Sequence, residues 1–403
     1  MRHILTPALV VITALLVGCG DGDNGGGNGA TPAPTPTPNP TPNPTPTPAP
    51  EDTHEVRLRT VVGGLQRPWS FVFLPNGDIL VTERPGRIRL VRGGVLRTQP
   101  VAGVPAVVDG GQGGMLDLAL HPRFSENSLV YISYAKAVSG GSTTAVARAR
   151  WEGDALVDLA DIIVTDAVAS GGQHFGGRMV FDAAGFLYLS IGDRGTGSRA
   201  QDRTDHAGST LRLRDDGGLP GDNPFVGVAG VEPAIFTYGN RNAQGMTIHP
   251  STGAVWLVEH GPMGGDEVNR VVAGGNYGWP QTSFGSGYDG TPIPDPTPGD
   301  GTVLPLLYWT PSIAPSGMAF YSGDRFPNWR GNLFVGALAG THLRRVVLDG
   351  TQVLHQEQLL LEEGQRIRAV RTGPDGYLYL VTDDDNGILG RVEPIEEPPV
   401  GGG

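Results

Sequence analysis

From Gly171 to Gly195 the chain reads GGQHFGGRMVFDAAGFLYLSIGDRG. Two apolar, β-prone runs, Arg178–Phe181 and Phe186–Ile191, flank a short turn, Asp182–Gly185. That is the pattern of a β-hairpin. With Ala183 and Ala184 as the two loop residues, counting outward along the ladder sets His174 opposite Asp193; a bulge at Gly185 would move that register by one residue. A carboxylate beside an imidazole fixes its tautomer and raises its basicity, as a general base requires. Taken alone, the same pair serves equally well as a surface ion pair at a hairpin mouth, since cross-strand charge pairs are common.

The turn in this stretch recurs. An apolar pair, a turn of Pro, Asp or Asn with Gly, and an alternating strand are found at Phe73–Val81, His121–Ile132, Phe181–Tyr188, His249–Trp256, Asn328–Val335 and Gly373–Leu380. Six units at a spacing of roughly 45–80 residues predict the blades of a propeller, each a four-stranded antiparallel sheet. The expected fold class is therefore all-β, a six-bladed β-propeller. The strand near Val56–Val62 is expected to complete the last blade and close the ring. A two-sheet sandwich, the alternative, would show strand alternation without the recurrent unit. In a propeller, loops from several blades converge at one end of a central channel and can surround one ligand.

Composition limits the partners. The 403 residues carry a net charge of −12 and no basic tract, which argues against nucleic acid. The single cysteine, Cys19, rules out an intrachain disulfide and a cysteine-based zinc site. Residues 1–19 read as a targeting segment whose end, Leu16-Val17-Gly18-Cys19, resembles a bacterial lipobox. This implies acylation of Cys19 and a periplasm-facing, lipid-anchored protein; Gly20, in place of Asp, points to the outer membrane. An ordinary secretory signal is the alternative. Residues 20–53 form a Gly/Asn-rich then Thr-Pro-rich linker, residues 54–394 the propeller, and residues 395–403 a flexible tail.

Four further stretches carry chemistry. Gly110–Met115 holds Gln112 in a Gly-rich turn that either approaches a ligand or is only a turn. Tyr238–Met246 places Arg241, Asn242 and Gln244 at the mouth of a buried strand, suited to a carboxylate or a developing oxyanion, with a structural ion pair as the alternative. Glu259–Asn269 is acidic and Gly-rich, offering hard oxygen ligands for Ca²⁺ or forming a solvated loop. Arg366 and Arg368 share one strand face, which is costly unless an anion lies between them. An anionic ligand is the expectation; a solvent-facing edge strand is the alternative. No Rossmann, P-loop or GxSxG motif stands in its required context.

Together these motifs resemble the soluble quinoprotein glucose dehydrogenase and aldose sugar dehydrogenase family, from about Val61 to Val392. The resemblance rests on Arg67-Pro-Trp, Gly111-Gln-Gly-Gly, His174 with Gly192-Asp193, Gly239-Asn-Arg-Asn-Ala-Gln-Gly, Glu259-His-Gly-Pro and Gly274-Gly-Asn-Tyr-Gly-Trp-Pro. Trp309, Ile313-Ala-Pro-Ser and Arg366-Ile-Arg complete it. It implies a propeller that uses pyrroloquinoline quinone (PQQ) and Ca²⁺ to oxidise the C1 hydroxyl of an aldose, passing electrons to a quinone, cytochrome or dye. His174 then resembles the base, Asp193 its orienting partner, and Arg241 the residue that stabilises charge on the quinone oxygen. Gln112, Asn242, Ser312, Arg366 and Arg368 resemble cofactor contacts. Gly261 and Pro262 resemble the carbonyl ligands of a catalytic Ca²⁺, and Glu267 and Tyr277 those of a structural one. Where the glucose dehydrogenases have a lysine on PQQ, this chain has Ala339, with His342 or Arg345 as possible substitutes. A binding propeller without cofactor and a Ca²⁺-dependent lactonase are the other readings.

Overall fold

The computed structural model describes residues 55–395. The expected targeting segment, Cys19, the whole linker and the tail after Ile395 lie outside the described residues. No helix among those described is long and apolar enough to cross a membrane.

Six four-stranded antiparallel sheets form the ring. Blade 1 comprises Pro68–Phe73, Ile79–Glu83, Arg87–Arg92 and Val95–Leu96. Blade 2 comprises Met115–Leu120, Leu129–Val138, Gly141–Glu152 and Ala155–Val164. Blade 3 comprises Met179–Phe181, Leu187–Ile191, Ser209–Leu213 and Ile235–Tyr238. Blade 4 comprises Ala243–Ile248, Val255–Glu259, Asp266–Arg270 and Leu307–Trp309. Blade 5 comprises Pro315–Phe320, Leu333–Ala337, Leu343–Asp349 and Gln352–Leu359. Blade 6 takes Ile367–Thr372, Leu378–Thr382 and Gly387–Pro394 from the end of the domain and Val56–Leu65 from its start. Val56 pairs with Pro394 and Leu58 with Val392, so the ring closes as the sequence predicts.

Each of the six recurrent turns lies between the first and second strand of its blade. The alternating strands have apolar residues on both faces because each blade is covered by two neighbours. Leu80, Ile88, Leu118 and Ile132 pack between blades 1 and 2, and Tyr131, Leu187, Leu189 and Leu211 between blades 2 and 3. Equivalent layers join every other pair, including blade 6 to blade 1 through Leu65, Phe71, Val81 and Leu389.

The founding hairpin is correct in kind and one residue off in register. Phe181 faces Leu187 and Met179 faces Leu189. The loop has three residues, with Gly185 left-handed at φ 86°. The amide of Gly185 donates to the carbonyl of Asp182, and that of Asp182 to Phe186. This is a tight turn followed by a glycine bulge, the commonest three-residue hairpin solution.

Candidate active site

The first strand of each blade lines the channel. The loops that lead into these strands, and the loops joining second to third strands, therefore share one face. That face collects Arg67, Arg84, Gln112, His174, Asp193, Arg241, Gly261, Ser312, Arg366 and Asp383. Of the nine non-glycine residues with left-handed backbone among the described residues, Arg67, His174, Arg194, Ala314, Thr341 and Leu360 are in these loops. Such strain is held only where surroundings enforce it, and it concentrates at functional sites.

His174 and Asp193 meet, though not by ladder geometry. The ladder ends near Arg178 and Ser190, and left-handed His174, Gly176 and Gly177 redirect the chain. His174 Nδ1 lies 2.6 Å from Asp193 Oδ1. Gly192 is required here, because a Cβ at that position would stand 2.2 Å from the His174 carbonyl oxygen. Asp193 is buried and also accepts from the Gly195 amide at 2.7 Å and the Trp279 indole at 2.8 Å. Burial pushes its carboxyl up, but the hydrogen bond and charge of His174 with the Gly195 and Trp279 donors bring it below the ordinary carboxylate range. Asp193 is thus the ionised acceptor. His174 carries its proton on Nδ1 and presents the lone pair of Nε2.

The loop bearing His174 is braced from three sides. Gln112 accepts the His174 amide hydrogen at 2.9 Å, so its carbonyl end holds the base rather than a ligand. Arg84 donates to the carbonyls of Gly111 and Gly113 and fixes the loop that carries Gln112. Arg194, stacked 3.5 Å over Phe175, donates to the carbonyls of Gly171 and Gln173. Asn242 is buried, its side-chain oxygen accepting from the Gly176 amide and from Gln244.

Arg241 is 6% exposed and makes no ion pair among the described residues. Its guanidinium reaches the His260 carbonyl at 3.4 Å and the Tyr288 hydroxyl at 3.1 Å, and lies 5.4 Å from the Trp279 ring centre. Its main-chain N–H donates to Glu259 Oε2 at 2.6 Å. His260 donates from Nε2 to the Pro315 carbonyl at 2.6 Å. Burial, with Arg368 and Arg241 nearby, lowers its pKa to about 3, so it stays neutral.

Arg366 and Arg368 converge as expected, but on an anion the protein supplies. Both donate to Asp383 Oδ2, at 2.9 and 2.8 Å. Arg366 also donates to the Leu338 carbonyl, beside Ala339. Arg368 is buried and its Nε has no partner. Arg84 is close enough to Arg368 and Asp383 to feel both charges. Arg84, Arg366 and Arg368 face Asp383, and the neighbouring Arg67 is matched by Asp109 at 2.7 Å, which leaves this corner cationic. Nearby, buried Arg178 donates to the Gln244 and Arg368 carbonyls, shares Asp117 at 3.5 Å with Arg371, and stacks 3.8 Å over Trp69.

Neither suggested replacement for the lysine reaches this corner. Arg345 is fully buried within blade 5, bound to Glu357 and Asn332. His342 is fully buried and tied to the Gly340 carbonyl, and burial lowers its pKa. Ser312 is not free for a ligand either: its hydroxyl lies 2.9 and 2.8 Å from the two Asp266 oxygens. Asp266 also accepts from the amides of Gly261, Ile313 and Ala314, joining the blade 4 and blade 5 loops.

Gly261 and Pro262 are buried, and no main-chain loop hydrogen bond among the described residues ends on their carbonyls. A Cβ at Gly261 would stand 2.1 Å from the Gly264 carbonyl oxygen. Glu259, Glu267 and Tyr277 line one small cavity behind them. Burial raises Glu259 to about 7, and burial with the neighbouring Glu259 charge raises Glu267 well above its ordinary value. The Tyr277 hydroxyl is engaged with Arg270 and Val272, which leaves its main-chain carbonyl as the oxygen for a cation. Among the described residues, no three His, Asp, Glu or Cys side chains are placed to hold a metal by themselves. A cation here needs main-chain carbonyls.

Residues 65–391 match the family model described as Glucose / Sorbosone dehydrogenase. The chain belongs to that family. It is 41% identical over 346 residues to the aldose sugar dehydrogenase YliI of Escherichia coli (strain K12), covering 84% of this chain and 93% of that one. The apo-form crystal structure of the soluble Escherichia coli aldose sugar dehydrogenase superposes with a TM-score of 0.82, covering 84% of this chain and 100% of that chain at 41% identity. The PQQ-bound aldose sugar dehydrogenase of Streptomyces coelicolor superposes with a TM-score of 0.70 at 30% identity, covering 86% and 100%. These family members are sugar oxidoreductases on a propeller. The resemblance read from the motifs is thereby borne out at the level of family, fold and reaction class.

Sequence reasoning missed Arg84, Arg194 and Asp383, and assigned no role to Trp279 or Tyr288. Arg84 and Asp383 lie in loops between second and third strands. Only the propeller's repeat geometry, applied to those loops as well as to strand starts, would have selected them.

Proposed function

We propose that the chain is a PQQ- and Ca²⁺-dependent aldose dehydrogenase that oxidises the C1 hydroxyl of a cyclic sugar to a lactone and delivers the electrons to an external acceptor. The observation that carries this reading is the juxtaposition of an ionised-Asp193–supported imidazole with Arg241, a buried guanidinium that lacks an ion pair among the described residues. The residues fit both groups. The surplus cationic charge of Arg84, Arg366 and Arg368 suits a polycarboxylate, and the orphaned Arg368 Nε offers it a donor. The carbonyls of Gly261 and Pro262 would hold a catalytic cation, and Glu267 with the Tyr277 carbonyl a structural one.

When bound, PQQ and Ca²⁺ supply a two-electron acceptor and a Lewis acid. His174 Nε2 takes the proton of the C1 hydroxyl as C1 is oxidised. Asp193 stabilises the imidazolium that results and prevents rotation of the ring. Arg241 places fixed positive charge where negative charge develops, in a site that excludes much of the water. Tyr288, 73% exposed on the rim, reaches the same guanidinium and borders the place where a sugar would enter.

The test is reconstitution of the protein with PQQ and Ca²⁺, followed by glucose and a dye acceptor. Saturable quinone absorbance and aldose-dependent dye reduction are expected. Absence of both overturns the proposal. For location, we infer a lipid anchor at Cys19 on the periplasmic side of a bacterial membrane, the outer one favoured by Gly20. Incorporation of labelled fatty acid, abolished by Cys19→Ser, tests it.

A further inference from the structure

Trp279 occupies a position that neither its sequence motif nor the reaction explains. It belongs to the loop between the third and fourth strands of blade 4, yet its indole N–H donates to Asp193 of blade 3 at 2.8 Å. The other oxygen of that carboxylate holds His174 and the Gly195 amide. Trp279 also lies near Arg241, whose guanidinium carbon is 5.4 Å from the ring centre. One side chain thus bonds to the support of the base and lies beside the cation.

The indole is itself held firmly. The Trp279 amide donates to the Gly239 carbonyl at 3.0 Å, and its carbonyl accepts from Gln201 at 2.8 Å. Gln201 is locked to Asn276 by a reciprocal pair at 2.9 and 3.0 Å. The turn Gly197–Gln201 closes over the ring edge: a Cβ at Gly197 would stand 3.2 Å from the indole nitrogen. A surface tryptophan that merely filled space would not need this anchoring, nor direct its only donor at a buried carboxylate.

We propose that Trp279 is a positioning residue for the catalytic base: its indole N–H fixes Asp193 so that one carboxylate oxygen is aimed at His174 Nδ1, and it draws off part of the charge that oxygen pair would otherwise present to the imidazole. Removing the donor leaves Asp193 with one unpaired buried oxygen and a greater hold on the imidazolium. The base then retains its proton to higher pH and its orientation loosens.

Few other charges face the pair. Arg241 and His260 approach from blade 4, and Arg194 follows Asp193 with its guanidinium turned to the Gly171 and Gln173 carbonyls. His260 is kept neutral, and Arg194, lowered by burial to about 10, stays charged through neutral pH. Glu259, behind Arg241, does titrate near neutrality, but Trp279→Phe leaves its hydrogen bonds to Asn240 and the Arg241 amide untouched.

The inference rests on the dehydrogenase reading only for its kinetic arm. In protein without cofactor, ¹⁵N-histidine NMR of Trp279→Phe is expected to show the midpoint of the His174 ring signals moved upward by on the order of one pH unit relative to the parent. An unchanged or lowered midpoint overturns the proposal, whether or not the protein oxidises sugar. If the variant does not fold, the parent still decides: the Trp279 indole resonance must inflect with pH at the His174 midpoint, because both rings share Asp193, and a flat indole titration refutes the coupling. In reconstituted enzyme, Trp279→Phe should move the acidic limb of kcat/KM upward, lowering kcat by about tenfold while PQQ absorbance still saturates. Trp279→His, which restores a ring donor, should return the limb toward the parent. A loss of activity with no movement of the limb would mark a purely structural role.

Discussion

Asp193→Asn isolates the charge of the site's key carboxylate while keeping its shape. The wild-type group accepts three hydrogen bonds, from His174 and Gly195 on Oδ1 and from Trp279 on Oδ2. An amide offers one acceptor oxygen and one donor nitrogen. If its oxygen stays with His174 and Gly195, its nitrogen meets the Trp279 indole donor to donor, a buried conflict worth about 1–3 kcal/mol. If it turns over, its nitrogen faces His174 and drives the imidazole proton to Nε2, removing the lone pair that takes the substrate proton. In both orientations the imidazolium loses its counter-charge. The expected result is a fall in kcat of about 10²–10⁴-fold with PQQ binding retained, measured by dye reduction alongside an absorbance titration of the cofactor. Stability should follow linkage. The folded-state pKa of Asp193 is depressed, so the stabilisation by its charge is complete above the unfolded-state value, near 3.9, and is lost as pH falls through the folded value. Urea unfolding should therefore separate parent and variant at pH 7, the gap closing in acid below about pH 4. A variant that binds PQQ and turns over within about threefold of the parent at pH 7 would refute this account of the dyad.

Other consequences can be measured directly. His174→Ala should lower the rate by about 10²–10⁴-fold in the same dye assay and leave PQQ absorbance saturable. Asp383→Asn removes the resident anion between Arg366 and Arg368, so apo-protein titrated with PQQ by fluorescence should bind it more tightly, by about tenfold at low salt and less at high salt; weaker binding would mean that Asp383 chiefly holds the arginines in place. Chelation of Ca²⁺ should lower the parent's unfolding midpoint, and Glu267→Gln, which loses the carboxylate proposed as ligand of the structural cation, should respond less to chelator than the parent. Leu189→Ala, at a fully buried position between blades 2 and 3, should cost about 2–5 kcal/mol in urea unfolding without changing the substrate profile.

Local pattern sufficed for much of the architecture. Six apolar pair–turn–strand units, each a few residues long, lie between the first two strands of six blades, because a turn's Gly, Pro and Asn or Asp requirements and a strand's alternation are short-range physics. Ring closure by Val56–Leu65 followed from a blade short of one strand. That His174, Asp193, Arg241, Arg366 and Arg368 stand at the mouths of strands was also legible, since each stands close before or after an apolar, β-prone run. What the tertiary structure decided was the partner of each. The hairpin count missed by one residue because Gly185 forms a bulge, and His174 reaches Asp193 only because three left-handed residues redirect the chain. The anion between Arg366 and Arg368 proved to be Asp383, and Ser312 proved to be bound to Asp266. Trp279 reaches Asp193 across 86 residues of sequence. Strand periodicity says which way a side chain points; only closure of the ring brings loops from separate blades to one channel mouth, and there hydrogen bonds and charge, not sequence distance, select what each side chain holds.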